Sequence, residues 1–172
     1  MKVSVIVVAG SLLLPVAGAS AQGVTDAQIA SIVVTANQVD IDAGKLAKSM
    51  ASHADVKKFA DQMITDHTGV NKSAVELVTK LTVTPEDNPT SQSIKAGGDK
   101  NVANLRTLKG AAFDKAYIDH EVAYHQQVLD AIDQTLIPSA TNAELKALLV
   151  KVRPAFVAHL EHAKHVQSSL AK

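Results

Sequence analysis

The 172-residue sequence predicts an all-α protein, an up–down bundle of four helices with a long, partly helical crossover between helices 2 and 3. Three observations carry that prediction. Apolar residues recur at alternating steps of three and four along four long windows, the spacing of a helix with one buried face. Clusters of Pro, Gly, Asn and Asp separate those windows. Aromatic residues make up only 3% of the chain while alanine and valine are frequent, a composition that packs helices closely.

The chain opens on Lys2 and an apolar run from Val3 to Val16, followed by Ala19-Ser20-Ala21. That small-x-small pattern marks a secretory cleavage site, so residues 1–21 read as a signal peptide and 22–172 as one secreted, periplasmic domain. The run is shorter than the roughly 20 apolar residues a membrane span requires, so no stable membrane insertion is expected after cleavage.

In the first helix Thr25 and Gln28 form a capping box. Its stripe runs Ile29, Ile32, Ala36, Val39, Ala43, Leu46 and Met50. A turn over Ser52 to Asp55, with one of those two residues as cap, leads to a second helix. There the stripe is Ala60, Met63, His67, Val70, Ala74, Leu77 and Leu81, ended by Thr82 to Pro89. Residues 90–110 read as a crossover whose helix is interrupted at Gly97-Gly98. The third helix covers 111–137 with Ile118, Val122, His125, Leu129, Ile132 and Leu136 inward, and Pro138 as its stop. Thr141 or Asn142 caps the fourth, whose stripe is Leu145, Leu149, Val152, Phe156, His159, Ala163, Val166 and Leu170, with Pro154 expected to kink it. Two helical hairpins joined by a long crossover make the ferritin-like arrangement.

Composition excludes several chemistries. With no cysteine there is no disulfide, thiolate metal site or Cys nucleophile. Seventeen basic and 17 acidic residues balance, which gives no electrostatic reason for a nucleic-acid partner. No Gly-rich phosphate loop or serine elbow occurs.

Histidine and carboxylate remain, and three stripes carry one histidine each: His67, His125 and His159. His67 and Asp40 lie about thirteen residues on either side of the first turn, at equal height, about 20 Å along their helices. His125 and His159 differ by about five residues, or about 7 Å, in their distance from the second turn. Glu121 sits one turn before His125, and His162 one turn after His159. A layer from four helices follows, with His67, His125 and His159 as ligands and Asp40, Asp66, Glu121 and His162 beside them. Such a donor set suits iron, manganese, copper, nickel or zinc. The same residues would also serve as a metal-free, hydrogen-bonded layer that fixes helix register in a structural or interaction protein of the cell envelope. A third reading is haem held non-covalently between two histidines.

The block Val56-Lys57-Lys58-Phe59-Ala60-Asp61-Gln62-Met63-Ile64-Thr65-Asp66-His67 resembles a signature of secreted bacterial proteins in domain-of-unknown-function family 4142. Gly44-Lys45-Leu46-Ala47, Phe113-Asp114-Lys115-Ala116-Tyr117 with His125, and Pro154 with His159-Leu160 and Ala163 extend the resemblance over the mature chain. It implies a ferritin-like bundle behind a signal peptide, of unestablished role, and marks Asp66, His67, His125 and His159. Family members commonly carry Glu where this chain has Asp40. The Glu-x-x-His pairs of ferritin-type di-iron sites are absent here, so the resemblance implies a fold and no reaction.

Overall fold

The computed structural model describes residues 23–171, and every regular element among them is helical. The elements are α1 (Asp26–Met50), α2 (Ala54–Lys80), α3 (Pro89–Leu105), α4 (Gly110–Ala131), a π-helical turn (Ile132–Leu136), the single turn α5 (Ile137–Ser139) and α6 (Ala143–Leu170). Residues 1–21, expected from the sequence to be a signal peptide, lie outside the described residues. None of the described helices is long and apolar enough to cross a membrane.

Five long helices pack together. α1 pairs with α2 and α4 with α6, and the two hairpins meet along α2–α6 and α1–α4. α3 lies along α1 and also touches α4. The hydrogen bonds give the directions. Glu86 N–H reaches the carbonyl of Ala27 and Asn88 that of Gln28, so α3 starts beside the beginning of α1. It runs with α1, and α4 begins where α1 ends, at Ser52. Helices α1, α2, α4 and α6 therefore run up, down, down and up, with α3 returning the chain between the hairpins.

The local chemistry follows the sequence closely at the starts of helices. Thr25 and Gln28 form the capping box, and Asn142 Oδ1 accepts from the N–H groups of Glu144 and Leu145. At α2 the cap is His53, whose Nδ1 accepts from Asp55 N–H, rather than Ser52 or Asp55. Ser52 is engaged elsewhere: Asp114 on α4 accepts from Ser52 N–H, Ser52 Oγ and His53 N–H. Asp26 on α1 treats the α5–α6 turn likewise, accepting from Thr141 N–H, Thr141 Oγ1 and Asn142 N–H.

Two expectations are corrected. Gly97-Gly98 does not interrupt the crossover helix, because α3 runs through both residues. A Cβ at Gly98 would stand 2.5 Å from Val39 Cγ1, so glycine there is what lets α3 approach α1. Pro138 does not stop the third helix either. The chain widens into the π turn, where Ile137 N–H bonds Ile132 O, and Pro138 sits in the helical turn that follows. Widening avoids the clash that a proline makes with an α-helical carbonyl four residues earlier. At Pro154 α6 continues as one helix.

The apolar core has two halves. One holds Ala47, Phe59, Met63, Leu105, Phe113 and Tyr117 near the α1–α2 turn. The other holds Ile29, Ile32, Leu129, Leu149, Phe156 and Leu160 near the α4–α6 turn. Between them the bundle buries a polar layer.

Candidate metal centre

That layer consists of Asp40 on α1, His67 on α2, Glu121 and His125 on α4, and His159 on α6, each at most 2% exposed. The ring centroids are 5.6 Å apart for His67 and His125, 5.1 Å for His67 and His159, and 5.4 Å for His125 and His159. The height mismatch between His125 and His159 closes partly because α6 begins only at Ala143, which puts the turn later than 139–140, and partly for a stereochemical reason. Helical side chains lean toward the N-terminus of their own helix. On antiparallel α4 and α6, His125 therefore leans away from the intervening turn and His159 toward it, so the two rings converge.

Each imidazole uses one nitrogen outward. Asn37 Nδ2 donates to Val33 O at 2.7 Å, which turns Asn37 Oδ1 toward His67 and makes His67 Nδ1–H the donor, also at 2.7 Å. His125 Nδ1–H donates to the carbonyl of Glu121 at 3.0 Å, and a carbonyl can only accept. His159 Nε2–H donates to Asp66 Oδ2 at 2.9 Å. Three hydrogen bonds thus leave His67 Nε2, His125 Nε2 and His159 Nδ1 facing the interior, and none of the three has a hydrogen-bond partner among the described residues.

The carboxyls complete the group. Asp40 Oδ2 lies 2.9 Å from His67 Nε2 and 3.4 Å from His125 Nε2, off the line a ring N–H would need to bond it. Glu121 Oε2 is 3.5 Å from His125 Nδ1. Burial pushes the Glu121 carboxyl well above its ordinary range and the Asp40 charge adds to it, so Glu121 keeps a proton toward Asp40. Burial would raise Asp40 too, but the His67 charge and contact, His125 and the Glu121 proton outweigh it and hold Asp40 at about 2. His125, pressed by burial and by the neighbouring imidazoles against the pull of Asp40, falls to about 4.

One donor atom each from His67, His125 and His159 lie within 4.8 Å of one another, as do donor atoms of Asp40, Glu121 and His125. Metal–nitrogen bonds of about 2.1 Å place ligand atoms within about 4.2 Å of each other. Small side-chain rotations cover the remainder. The structure brings together five of the seven residues singled out in the sequence. Asp66 stands one step out, 40% exposed, orienting His159. His162 is separate: its Nδ1 meets Gln62 Oε1 at 2.9 Å and its ring packs edge-on against Phe59.

Sequence reasoning missed Asn37, which orients His67. Its signal is present, since Val33, Asn37 and Asp40 follow a four–three step and place two polar residues on one line of an apolar helix face. It also missed Phe156 as a neighbour of the site, with its ring centroid 5.1 Å from His67 and 6.1 Å from both His125 and His159. Rings this close together leave no slot for a porphyrin, which removes the haem reading.

Fold and site together define an all-helical protein with a buried histidine–carboxylate group able to hold a metal. A family model described as "Domain of unknown function (DUF4142)" matches residues 13–166, and the chain belongs to that family. Neither the curated proteins nor the solved structures contain a match.

Proposed function

We propose that this is a secreted, periplasmic protein of the ferritin-like type, cleaved after residue 21, whose mature chain 22–172 holds one transition-metal ion in its polar layer. The observation that carries the metal reading is the set of buried donors: His67 Nε2, His125 Nε2 and His159 Nδ1 face one another without a hydrogen-bond partner among the described residues, beside the buried carboxyls of Asp40 and Glu121. Buried polar atoms are almost always partnered, and a cation is the one partner that would satisfy all of these at once. The outward hydrogen bonds of the three rings support it further, because metal-bound histidines routinely donate their other N–H to an oxygen. His67, His125 and His159 would be the ligands, with Asp40 and Glu121 supplying carboxylate oxygens. His125 is common to both donor groups, which favours a single ion. Nitrogen and oxygen donors suit iron, manganese, copper, nickel or zinc. The up, down, down, up order with a helical crossover supports the ferritin-like type, although the site has no Glu-x-x-His pairs.

The competing reading, a metal-free polar layer in an envelope protein, draws on the 2.9 Å approach of His67 Nε2 to Asp40 Oδ2, a distance within ion-pair range. One experiment separates the two. Untagged mature protein is purified and analysed for metals, then titrated with first-row divalent ions while its melting temperature is followed. About one ion per chain, lost in His67→Ala and His125→Ala, is expected. Less than a tenth of an ion per chain, with no ion raising the melting temperature, would overturn the metal reading and favour the polar layer.

A further inference from the structure

Beside the polar layer, on the α4–α6 turn side, the core contains an apolar cavity of about 40 Å³. All five long helices contribute to it, and of the residues lining it only Asn37 has a polar side chain. Asn37 is already committed to His67 and Val33. The inner wall is Phe156, whose ring touches all three imidazoles. The outer rim, including Val70, Ile94, Val128 and Val152, is half-buried and reaches toward the surface. Ile132 and Leu136 of the π turn form another wall. Such turns occur often at functional sites.

We propose that this cavity admits a small uncharged gas molecule, of the size and polarity of dioxygen, and brings it to the histidine cluster past the Phe156 ring. The volume sets the size: one small sphere needs about 10–15 Å³ on this measure, so a diatomic fits and a drug-sized organic molecule does not. The lining sets the polarity. Charged or hydrogen-bonding solutes would lose their hydration and gain nothing from aliphatic walls, whereas dry apolar cavities take up small apolar guests such as gas atoms. The location sets the role, since the cavity ends against the rings that would hold the metal. The proposal rests on the metal reading for its purpose and on the cavity alone for its test.

The test uses metal-free mature protein and dissolved dioxygen as a paramagnetic probe, read by NMR as relaxation enhancement at assigned ring protons. His67 and Phe156 are expected to show at least threefold greater enhancement than Phe113, which is also buried, in the other half of the core. Ala131→Leu, which adds bulk at the cavity wall, should remove most of that excess, and Val128→Leu serves the same purpose should the first variant fold poorly. Equal enhancement at His67 and Phe113, or an excess unchanged by both filling variants, overturns the proposal. Because no metal is present, failure of the metal reading leaves this measurement unaffected, and the two can be told apart.

Discussion

Asn37 and His67 share a hydrogen bond whose direction is fixed: Asn37 gives its amide N–H to Val33 O, leaving its oxygen to receive His67 Nδ1–H at 2.7 Å. The bond sets the His67 tautomer and aims Nε2 at Asp40. Replacing Asn37 by leucine removes the acceptor and leaves a buried N–H unpaired. The expected loss is about 1–3 kcal/mol of stability in urea unfolding, with metal affinity down roughly 10–100-fold. Unchanged stability would mean that His67 finds another acceptor.

Asp66 does for His159 what Asn37 does for His67, but from a half-exposed position. Solvent screens this contact, so Asp66→Ala should lower stability by less than about 1 kcal/mol. Metal affinity should still fall roughly 10–100-fold, because His159 loses the partner that orients it. A calorimetric titration of the variant checks the split. Equal affinity to wild type would show that packing against Phe156 alone holds the ring.

Acid should destabilise the metal-free protein in two windows. His125 has a folded pKa of about 4 against 6.5 in the open chain, so as pH falls the unfolded state takes up its proton first. Its contribution is complete above about pH 6.5 and disappears between about 6.5 and 4, and is at most on the order of 3–4 kcal/mol. Asp40, held at about 2, contributes above its ordinary 3.8 and is lost as pH falls through 2. Urea midpoints measured from pH 7 to 3 should decline steeply below 6.5, and the upper window should flatten in His125→Asn. A flat profile between 6.5 and 4 in wild type would contradict the burial argument for His125.

Adjacent glycines on α3 should respond in opposite directions. Gly98→Ala places a methyl 2.5 Å from Val39 Cγ1 and must push α3 off α1, costing about 1–3 kcal/mol. Gly97→Ala meets nothing within 4 Å and should gain about 0.5–1 kcal/mol from helix propensity. Thermal melts of the pair give the contrast directly.

Much of the fold was legible because stripes and caps are local: Thr25, Gln28 and Asn142 act where the sequence places them. Gly98 and Pro138 misled because each reads as a breaker in isolation. The reasons they are tolerated, a contact with the sequence-distant Val39 and a widened turn, are not written locally. The site was legible in its residues, since histidines and an aspartate at helical spacing on apolar faces stand out. Its geometry was less so. Counting residues from a turn at 139–140 left His125 and His159 about 7 Å apart; α6 in fact begins only at Ala143, and that later start together with the lean of side chains on antiparallel helices brings the rings to 5.4 Å.

The carboxylates of Asp114 and Asp26 work as cross-braces. The turn of the first hairpin is gripped by a residue of the second, and the turn of the second by a residue of the first, at opposite ends of the molecule. One hairpin sliding past the other by a single helical step, about 5.4 Å, would tear out both grips together. Asp40 and His67 stand on one hairpin and Glu121, His125 and His159 on the other, so the braces act as a gauge that keeps the two sides of the layer level. Loosening either end would then blur the centre from a distance, without touching any residue in it.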